Sequence, residues 1–513
     1  MRKMIKRFIA GMLLMAIAIG NAGCARESDN ENRIRVTAQT IYYGSGKFNT
    51  GEYAEEILNK IEDYCDVDLD ITWILSERIS ETTEKYLTSP DTMPMIMTYS
   101  GTIDSDVVAA AKNGLYVDLN DYIWDAEKYP NLSGMLKSVA DTLTVDGKLI
   151  AIPRMREIAR YGLCYRTDWA EKLGLSCPET PEDVYIMLYA FTYGDPDGNG
   201  IDDTIGLEMC SYTGTLDIIQ TWFGCGNGWA EVNGMLIPVH MQEEYIVALD
   251  YIKKLYDDGL IAADFAARST ETWSNGCKLG ENGVFIDVMD SGRRIWDYFV
   301  KEATFTPSVV DSSVPASMTF AGAINGRTLS TSGYNGFFTL SAGSCDTPEK
   351  IDAALRLLDR LCDDEMLVLT QYGLEGINYD VEGEYIIRKD TDDLVLSNNY
   401  AGLNQLLAYL PSAEHIPTPH VESTERNIAL NEAYKKAQSA AVMNPAATYL
   451  VNSETYAEIG SVLKESIDTA RTQYICGEID LAELKRVHAE WLKNGGQDII
   501  NEVNAAYRSS NRQ

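Results

Sequence analysis

The first folded segment of the chain has a strand–helix–strand pattern. Residues 34–38 form a strand-like run, residues 52–64 have helical periodicity, and residues 67–75 form a second β-rich run. A helix between two such runs predicts a βαβ unit. A helix over 77–88 and an apolar strand over 93–99 follow at once. This start constrains the fold to the α/β class.

The alternation of helix and strand continues along the chain, which is long enough for two or more domains or lobes. About 490 residues follow the N-terminal segment described next, more than one core of typical size holds. Further elements are predicted as a hairpin over 142–153, helices over 169–173, 181–193 and 243–258, a strand over 280–289, and helices over 349–362, 365–372 and 455–504.

Residues 1–24 have the features of an export signal. A basic start is followed by an apolar run over 8–19, and Ala22, Gly23 and Cys24 close the segment. An apolar run of about a dozen residues is shorter than the roughly 20 that a membrane-spanning helix needs. We therefore expect export and acylation at Cys24. A plain cleaved signal is the alternative, because Asn21 occupies a position where lipoprotein signals usually have leucine.

The charge and the scarcity of histidine exclude several classes of function. Seventy-seven acidic residues against forty-three basic ones give a net charge of −34, which repels nucleic acid and anionic membranes. The chain has only four histidines, so a histidine-rich zinc site or a histidine-based triad has few candidates. Ten cysteines are spread thinly and form no C-x-x-C pair. These observations weaken an enzymatic interpretation, although carboxylate chemistry stays open.

One acidic loop has the spacing of a calcium site. Oxygen donors occupy loop positions one, three, five and nine, with glycine at position six, and the backbone carbonyl of the seventh residue adds a donor. Calcium prefers several oxygens, and a glycine lets the loop turn sharply around them. We predict structural Ca²⁺ here, whereas a solvated turn is the alternative. The predicted ligands are Asp195, Asp197, Asn199, Ile201 and Asp203, with Gly200 at the turn.

Short segments spread over almost the entire mature chain carry a family resemblance. In order and spacing they resemble the solute-binding proteins of carbohydrate ABC transporters, specifically the large lipoprotein branch of extracellular solute-binding family 1. Members similar to this pattern bind alginate and other oligosaccharides, and a similar loop holds calcium in them. The matching segments are residues 114–121, 129–132, 146–153, 165–169, 171–175, 255–261, 333–337, 372–376 and 474–480, together with the acidic loop.

The resemblance implies a periplasmic-binding-protein-like fold, with two α/β lobes that close on sugar and a multi-strand hinge between them. Lobe I is expected to comprise 33–153 and 308–376, and lobe II to comprise 154–307 and 377–513. The crossings between them are expected near 153–158, 304–307 and 373–379.

Sugar chemistry and the resemblance together suggest ligand-binding residues. Sugar rings need aromatic planes for stacking and planar polar groups for paired hydrogen bonds. Any one tryptophan could instead be a core residue, and Arg154 could simply pair with Glu157. The candidates are Tyr99, Arg154, Glu157, Tyr212, Trp222, Trp229, Trp273, Asp290 and Arg293.

The resemblance implies a capture protein that is not an enzyme. It would be a monomeric, lipid-anchored lipoprotein on the extracellular face of the cytoplasmic membrane, delivering an oligosaccharide to ABC permease subunits, with no nucleic acid partner. The alternatives are a secreted calcium-dependent glycoside hydrolase or polysaccharide lyase, and a structural surface protein. The ligand charge stays open: overall acidity disfavours uronic acids, whereas Arg154, Arg293, Arg294 and Arg327 could neutralise one locally.

Overall fold

The computed structural model describes residues 33–43, 50–390, 393–409 and 416–510. The predicted signal segment and Cys24 lie outside these residues. Across the described ranges, no helix combines the length and apolar composition that crossing a bilayer requires.

The strands are short and are shared between two main sheets and several small hairpins. In chain order they are β1 (Arg35–Tyr42), β2 (Asp68–Leu75), β3 (Ile96–Tyr99), β4 (Thr144–Val145), β5 (Lys148–Leu149), β6 (Ile152–Met155), β7 (Tyr161–Arg166), β8 (Ile205–Leu207), β9 (Trp229–Val232), β10 (Met235–Pro238), β11 (Asn282–Val288), β12 (Met318–Gly322), β13 (Thr328–Leu329), β14 (Tyr334–Leu340), β15 (Tyr379–Glu382), β16 (Tyr385–Arg388) and β17 (Ala441–Val442).

The helices cover the faces of the two main sheets and form the C-terminal region. They are α1 (Ala54–Cys65), α2 (Ile79–Thr88), α3 (Ser105–Lys112), α4 (Lys137–Asp141), α5 (Thr167–Lys172), α6 (Pro181–Tyr193), α7 (Gly214–Thr221), α8 (Glu243–Asp257), α9 (Asn275–Leu279), α10 (Met289–Val300), α11 (Pro348–Arg360), α12 (Asp364–Tyr372), α13 (Leu394–Ser397), α14 (Glu425–Ala437), α15 (Ala447–Leu450), α16 (Glu454–Ile475), α17 (Leu481–Trp491) and α18 (Gln497–Ser510).

The first sheet has the order β2-β1-β3-β14-β6. Strands β1, β2 and β3 are parallel, and α1 connects β1 to β2, which confirms the predicted βαβ unit. Helix α1 buries Ile57, Ile61 and Cys65, which lie four residues apart and therefore on one face. Strand β14 runs antiparallel to both neighbours. This sheet and its helices enclose one continuous apolar core.

The second sheet has the order β12-β7-β11-β8. Strand β7 is antiparallel to both β11 and β12, whereas β8 is parallel to β11. Helix α6 begins with a capping box, in which Thr180 and Asp183 satisfy each other's backbone N–H groups. The two large apolar clusters around this sheet are separate from the core of the first. The predicted class of two α/β lobes is confirmed.

Two chain segments cross between the sheets side by side. Residues 156–160 connect β6 to β7, and residues 330–333 connect β13 to β14. The N–H of Arg156 donates to the carbonyl of Gly333 at 2.9 Å, and the N–H of Thr331 donates to the carbonyl of Ile158 at 2.9 Å. The hydroxyl of Thr331 also donates to the carbonyl of Glu157 at 2.9 Å. The two crossings are therefore hydrogen-bonded into one hinge.

The predicted crossing near 304–307 is wrong. The N–H of Thr306 donates to the carbonyl of Phe299 at 3.1 Å, and that of Ala316 donates to the carbonyl of Thr306 at 2.8 Å. Strand β12 then pairs with β7. Residues 308–329, expected in lobe I, thus belong with the second sheet, because long-range strand pairing holds them there.

The predicted crossing near 373–379 is also wrong. Tyr400, Leu403 and Leu406 lie in the core of the first sheet, and the N–H of Met155 donates to the carbonyl of Ala408 at 2.8 Å. Helix α14 packs instead on β12 of the second sheet. Lobe I therefore comprises 33–155 and 334–409 among the described residues, and lobe II comprises 161–329 and 425–510.

Gly336 in β14 should tolerate no side chain. Its φ is +87°, and a Cβ would lie 2.5 Å from the carbonyl oxygen of Tyr99. We expect Gly336→Ala to lower the free energy of unfolding by more than about 1 kcal/mol, because alanine is strained at positive φ and meets backbone there. Chemical denaturation measures the change. Gly343→Ala is the matched control, since a Cβ there meets open space. Equal effects of the two variants would contradict the account.

Candidate functional site

The candidate site lies where the second sheet meets the hinge. Val288, the last residue of β11, pairs with Tyr161, the first residue of β7. Residues 156–160 immediately precede that point. In open α/β sheets the ligand-facing loops follow the carboxyl ends of strands. The end of β11 and the hinge therefore bring several functional side chains to one edge of lobe II.

Asp290 is fixed at this edge by three neighbours. Nε and Nη2 of Arg160 donate to its two carboxylate oxygens, each at 2.8 Å. Arg294 donates to it at 3.1 Å, and the hydroxyl of Tyr434 at 3.3 Å. Burial alone would raise the pKa of the Asp290 carboxyl, but the hydrogen bonds and charge of Arg160 and the charge of Arg294 hold it below its usual value. Asp290 is thus a charged, preoriented hydrogen-bond acceptor.

Arg293 does not join this group, contrary to the sequence prediction. Its guanidinium pairs with Asp297, one helical turn further along α10, and Arg426 of α14 binds the same carboxylate at 2.8 Å. Arg293 therefore belongs to the contact between two helices. Arg294, one position later and so on another face of α10, is the arginine that contacts Asp290.

Two of the predicted aromatic residues are brought together beside this edge. The rings of Tyr212 and Trp273 meet edge to face with centroids 6.3 Å apart. The ring centroids of Trp273 and Phe285 are 4.5 Å apart. Tyr212 is 41 % exposed. Tyr212 lies in the loop after β8, and Trp273 lies in the segment before the short helix α9, and the contact between their rings brings these two segments together. The pair is suited to stacking on a flat apolar face.

Asp287 is a buried carboxylate beneath this surface. Its backbone pairs with Gly162 in the sheet, and its side chain is almost fully buried. Burial raises the pKa of the Asp287 carboxyl to about 6. Its charge in turn helps to raise the pKa of both Tyr212 and Tyr161, after burial, which is the larger cause. The sequence analysis missed Asp287, because nothing in a strand pattern distinguishes it from a solvated polar position.

Three of the predicted aromatic side chains are buried. Trp222 is 0 % exposed in the lobe II core, and Trp229 packs against Leu236 and other buried residues. Tyr99 is stacked on Phe337 with ring centroids 4.8 Å apart, and its hydroxyl bonds that of Tyr116 at 2.6 Å. Protein atoms cover almost all of each ring, so none offers the open flat face that stacking on a sugar ring requires.

The hinge carries an arginine group that the sequence analysis recognised only in part. Arg154 donates to the side-chain carbonyl of Gln405 at 2.7 Å. No carboxylate of the described residues pairs with Arg154, so the alternative of an Arg154–Glu157 pair is wrong. Glu157 contributes its backbone carbonyl to the hinge. Arg156, whose Nη1 donates to the carbonyl of Met155 at 2.8 Å, was missed. Three arginines within residues 154–160 were the available signal.

The acidic loop brings its predicted side chains together. Nδ2 of Asn199 lies 2.7 Å from a carboxylate oxygen of Asp197 and 3.2 Å from both of Asp203. The N–H of Gly200 donates to both carboxylate oxygens of Asp195 at 3.3 Å. Within the described ranges, no group of three or more histidine, cysteine, aspartate or glutamate side chains has a geometry ready for a metal. The donors are nonetheless the hard oxygens that calcium prefers.

Comparisons with known proteins cover the chain almost end to end. No protein-family model matches it. It is 29 % identical to lipoprotein LipO of Bacillus subtilis (strain 168), over 97 % of this chain and 98 % of that protein. It is 27 % identical to the polygalacturonan/rhamnogalacturonan-binding protein YtcQ of the same strain, over 97 % and 98 % respectively.

A solved structure shares the fold. The chain superimposes with a TM-score of 0.64 and 16 % identity on the ABC-transporter substrate-binding protein FusA of Streptococcus pneumoniae, an EF-hand mutant in complex with fructo-nystose. The match covers 93 % of this chain and 99 % of that one. The resemblance to carbohydrate solute-binding lipoproteins that the sequence segments indicated is confirmed.

Asp287 should make stability depend on pH. Because its folded-state pKa is about 6, above its ordinary value of 3.8, its charged form destabilises the fold. The free-energy cost of this buried charge is absent below about pH 4, because the carboxyl is then protonated in both the folded and the unfolded state. The cost grows between about pH 4 and about pH 6 and is constant at higher pH. We expect Asp287→Asn to be more stable than the wild type at pH 8, by up to on the order of 3 kcal/mol, and about equal at pH 4.

Chemical denaturation at several pH values measures this difference. A stability difference that does not change with pH would contradict the burial of the Asp287 charge.

Proposed function

We propose that this chain is the substrate-binding lipoprotein of an ABC importer. It captures an oligosaccharide between its two lobes and delivers it, chemically unchanged, to permease subunits. The observation that carries the proposal is the pair of hydrogen-bonded crossings, which join two separate α/β cores and place aromatic and charged side chains where the lobes meet. The end-to-end similarity to LipO and YtcQ supports the same function.

The residues at the junction match what sugar binding requires. Tyr212 and Trp273 offer aromatic surface for the C–H face of a pyranose ring. Asp290, held in place by Arg160, can accept hydrogen bonds from sugar hydroxyls without first being ordered. Binding of both lobes to one ligand would favour the closed arrangement over the open one, and that closed arrangement is the signal a permease can recognise.

The same geometry favours capture over hydrolysis. A glycosidase needs one carboxylic acid that gives up a proton and a second carboxylate nearby. Asp290 is held in its charged form by two arginines, and Asp287, the neighbouring carboxyl with a raised pKa, is buried in the sheet, so the protonated group does not face a bound sugar. The relatives and the structural neighbour carry names of binding proteins and lipoproteins.

We further propose that acylation at Cys24 anchors the protein to the outer face of the cytoplasmic membrane as a monomer. The similarity to a protein named as a lipoprotein supports this, together with the basic and apolar segment that precedes Cys24. A lipid anchor would keep the captured sugar close to the permease.

We also propose that the acidic loop holds Ca²⁺. Asp195, Asp197, Asn199 and Asp203 would supply side-chain oxygens and Ile201 its carbonyl. Bound calcium would supply the positive charge that offsets the four carboxylates within the nine residues 195–203. The loop connects α6 to β8, so its residues would hold the end of a long helix to the second sheet. The structural neighbour that is an EF-hand mutant supports a loop of this kind.

Removing either ring of the Tyr212–Trp273 pair should weaken sugar binding without unfolding the protein. A glycan array with the purified protein first identifies a ligand. We then expect Trp273→Ala or Tyr212→Ala to weaken that binding at least about fivefold in titration calorimetry, because one stacking contact is worth about 1 kcal/mol or more. Trp124→Ala is the control, since Trp124 is an exposed tryptophan of lobe I. Chromatography that detected cleaved ligand, or unchanged affinity in both variants, would contradict the proposal.

Calcium should stabilise the wild type through the acidic loop. We expect its melting temperature to be higher with Ca²⁺ than with chelator, and Asp197→Ala to remove that difference, because Asp197 occupies ligand position three. Thermal melts with and without calcium measure it. Asp202→Ala is the matched control, because Asp202 lies in the same loop at a position without a predicted ligand role. A wild-type melting temperature that ignores calcium would disprove the site.

A further inference from the structure

We propose that the captured oligosaccharide is acidic and that Arg154 and Arg156 at the hinge bind a uronic-acid carboxylate. This inference rests on the proposed function and deepens it, because the sequence leaves the charge of the sugar open.

Arg154 is a buried cation without a counter-charge. The Arg154 residue is 4 % exposed. Its Nη2 donates a hydrogen bond to Oε1 of Gln405, an uncharged side chain, at 2.7 Å. Its buried Nε has no hydrogen-bond partner among the described residues. Burial lowers the pKa of the Arg154 guanidinium to about 10, and the charge of Arg156 lowers it further in the same direction. A buried, incompletely bonded cation is costly, so a folded protein rarely retains one without a use.

Arg156 repeats the pattern two residues later. Its guanidinium donates to the carbonyl of Met155, and no carboxylate in the described part of the chain lies against it. Burial lowers the pKa of the Arg156 guanidinium, and so does the charge of Arg160. Two like charges thus lie close together, and the described residues place no carboxylate between them. An anion that bound both would remove the repulsion and satisfy the open donors.

The other arginines of this acidic chain show that a carboxylate partner is usually provided. Arg160 pairs with Asp290 at 2.8 Å, and Arg166 pairs with Asp168 at 2.8 Å. The chain has 77 acidic residues for 43 basic ones, so partners are abundant. Arg154 and Arg156 thus differ from Arg160 and Arg166 in having no carboxylate partner among the described residues.

The location of the pair fits ligand recognition. Arg154 lies in β6. A Cβ atom built on Gly336 would lie 3.3 Å from Nη1 of Arg154 and 2.5 Å from the carbonyl oxygen of Tyr99, so the guanidinium and that carbonyl are close to each other. The guanidinium is therefore at the carboxyl end of β3, the edge that faces ligands in open α/β sheets. Arg156 is in the crossing itself and hydrogen-bonds Gly333 of the other crossing. An anion on both arginines would touch lobe I and the hinge together.

A carboxylate is the anion that suits this arrangement. The planar guanidinium forms two parallel hydrogen bonds with the planar carboxylate of a uronic acid. The local positive pair would also offset the repulsion that a net charge of −34 exerts on an acidic glycan.

The test uses matched ligands and matched variants. The purified protein is screened on an array in which uronate-containing oligosaccharides, built from galacturonate, mannuronate, guluronate or glucuronate, stand beside their carboxyl-reduced counterparts and beside sulfated neutral oligosaccharides. Titration calorimetry then compares each bound pair for the wild type, Arg154→Gln, Arg156→Gln and the control Arg486→Gln, an exposed arginine of α17. Thermal melts establish that each variant is folded.

We expect a uronate-containing ligand to bind, and carboxyl reduction to weaken its binding by about tenfold to hundredfold. Arg156→Gln should cause a similar loss for the acidic ligand and little for the reduced one, whereas Arg486→Gln should change neither. If Arg154→Gln fails to fold, Arg156→Gln and the carboxyl-reduced ligands still decide the matter. Equal binding of the reduced sugars, or binding of neutral or sulfated sugars alone, would overturn this inference and leave the proposed function standing. Binding of no oligosaccharide at all would overturn both.

Discussion

The backbone hydrogen bonds between the two crossing segments are the constraint on which the rest of the molecule depends. The bonds from Arg156 to Gly333 and from Thr331 to Ile158 hold two extended segments side by side between separate cores. Paired segments of this kind can bend, but they resist sliding past each other. They therefore allow two lobes to open and close while the residues at the junction keep their register.

The chemistry of the junction follows from that register. Arg154, Arg156 and Arg160 lie on successive parts of one hinge segment but have different partners. Arg160 is neutralised by Asp290 and orients it, whereas Arg154 and Arg156 pair with no carboxylate of the described residues. Beside them, Tyr212 and Trp273 come from two loops of lobe II that meet at one sheet edge. Hydrogen bonding, charge and stacking are thus combined at the place where the lobes join.

Much of the local structure was predictable, but the assignment of segments to lobes was not. Helix α6 matches its predicted range because a capping box, a proline and a regular apolar pattern all mark it. Residues 308–329 were placed in the wrong lobe, since only the pairing of β12 with β7 decides their position and no local signal reports it. Trp222 and Trp273 look alike in sequence, yet one is buried and the other lies at the edge, because burial depends on the packing of distant elements.

Small-angle scattering with and without a bound glycan measures whether the two lobes close. Saturating ligand should make the molecule more compact, as the two lobes close about the paired crossings, and the same glycan should be recovered intact afterwards. An unchanged scattering profile with the ligand bound would contradict the account, because a hinged capture protein must change shape when it closes.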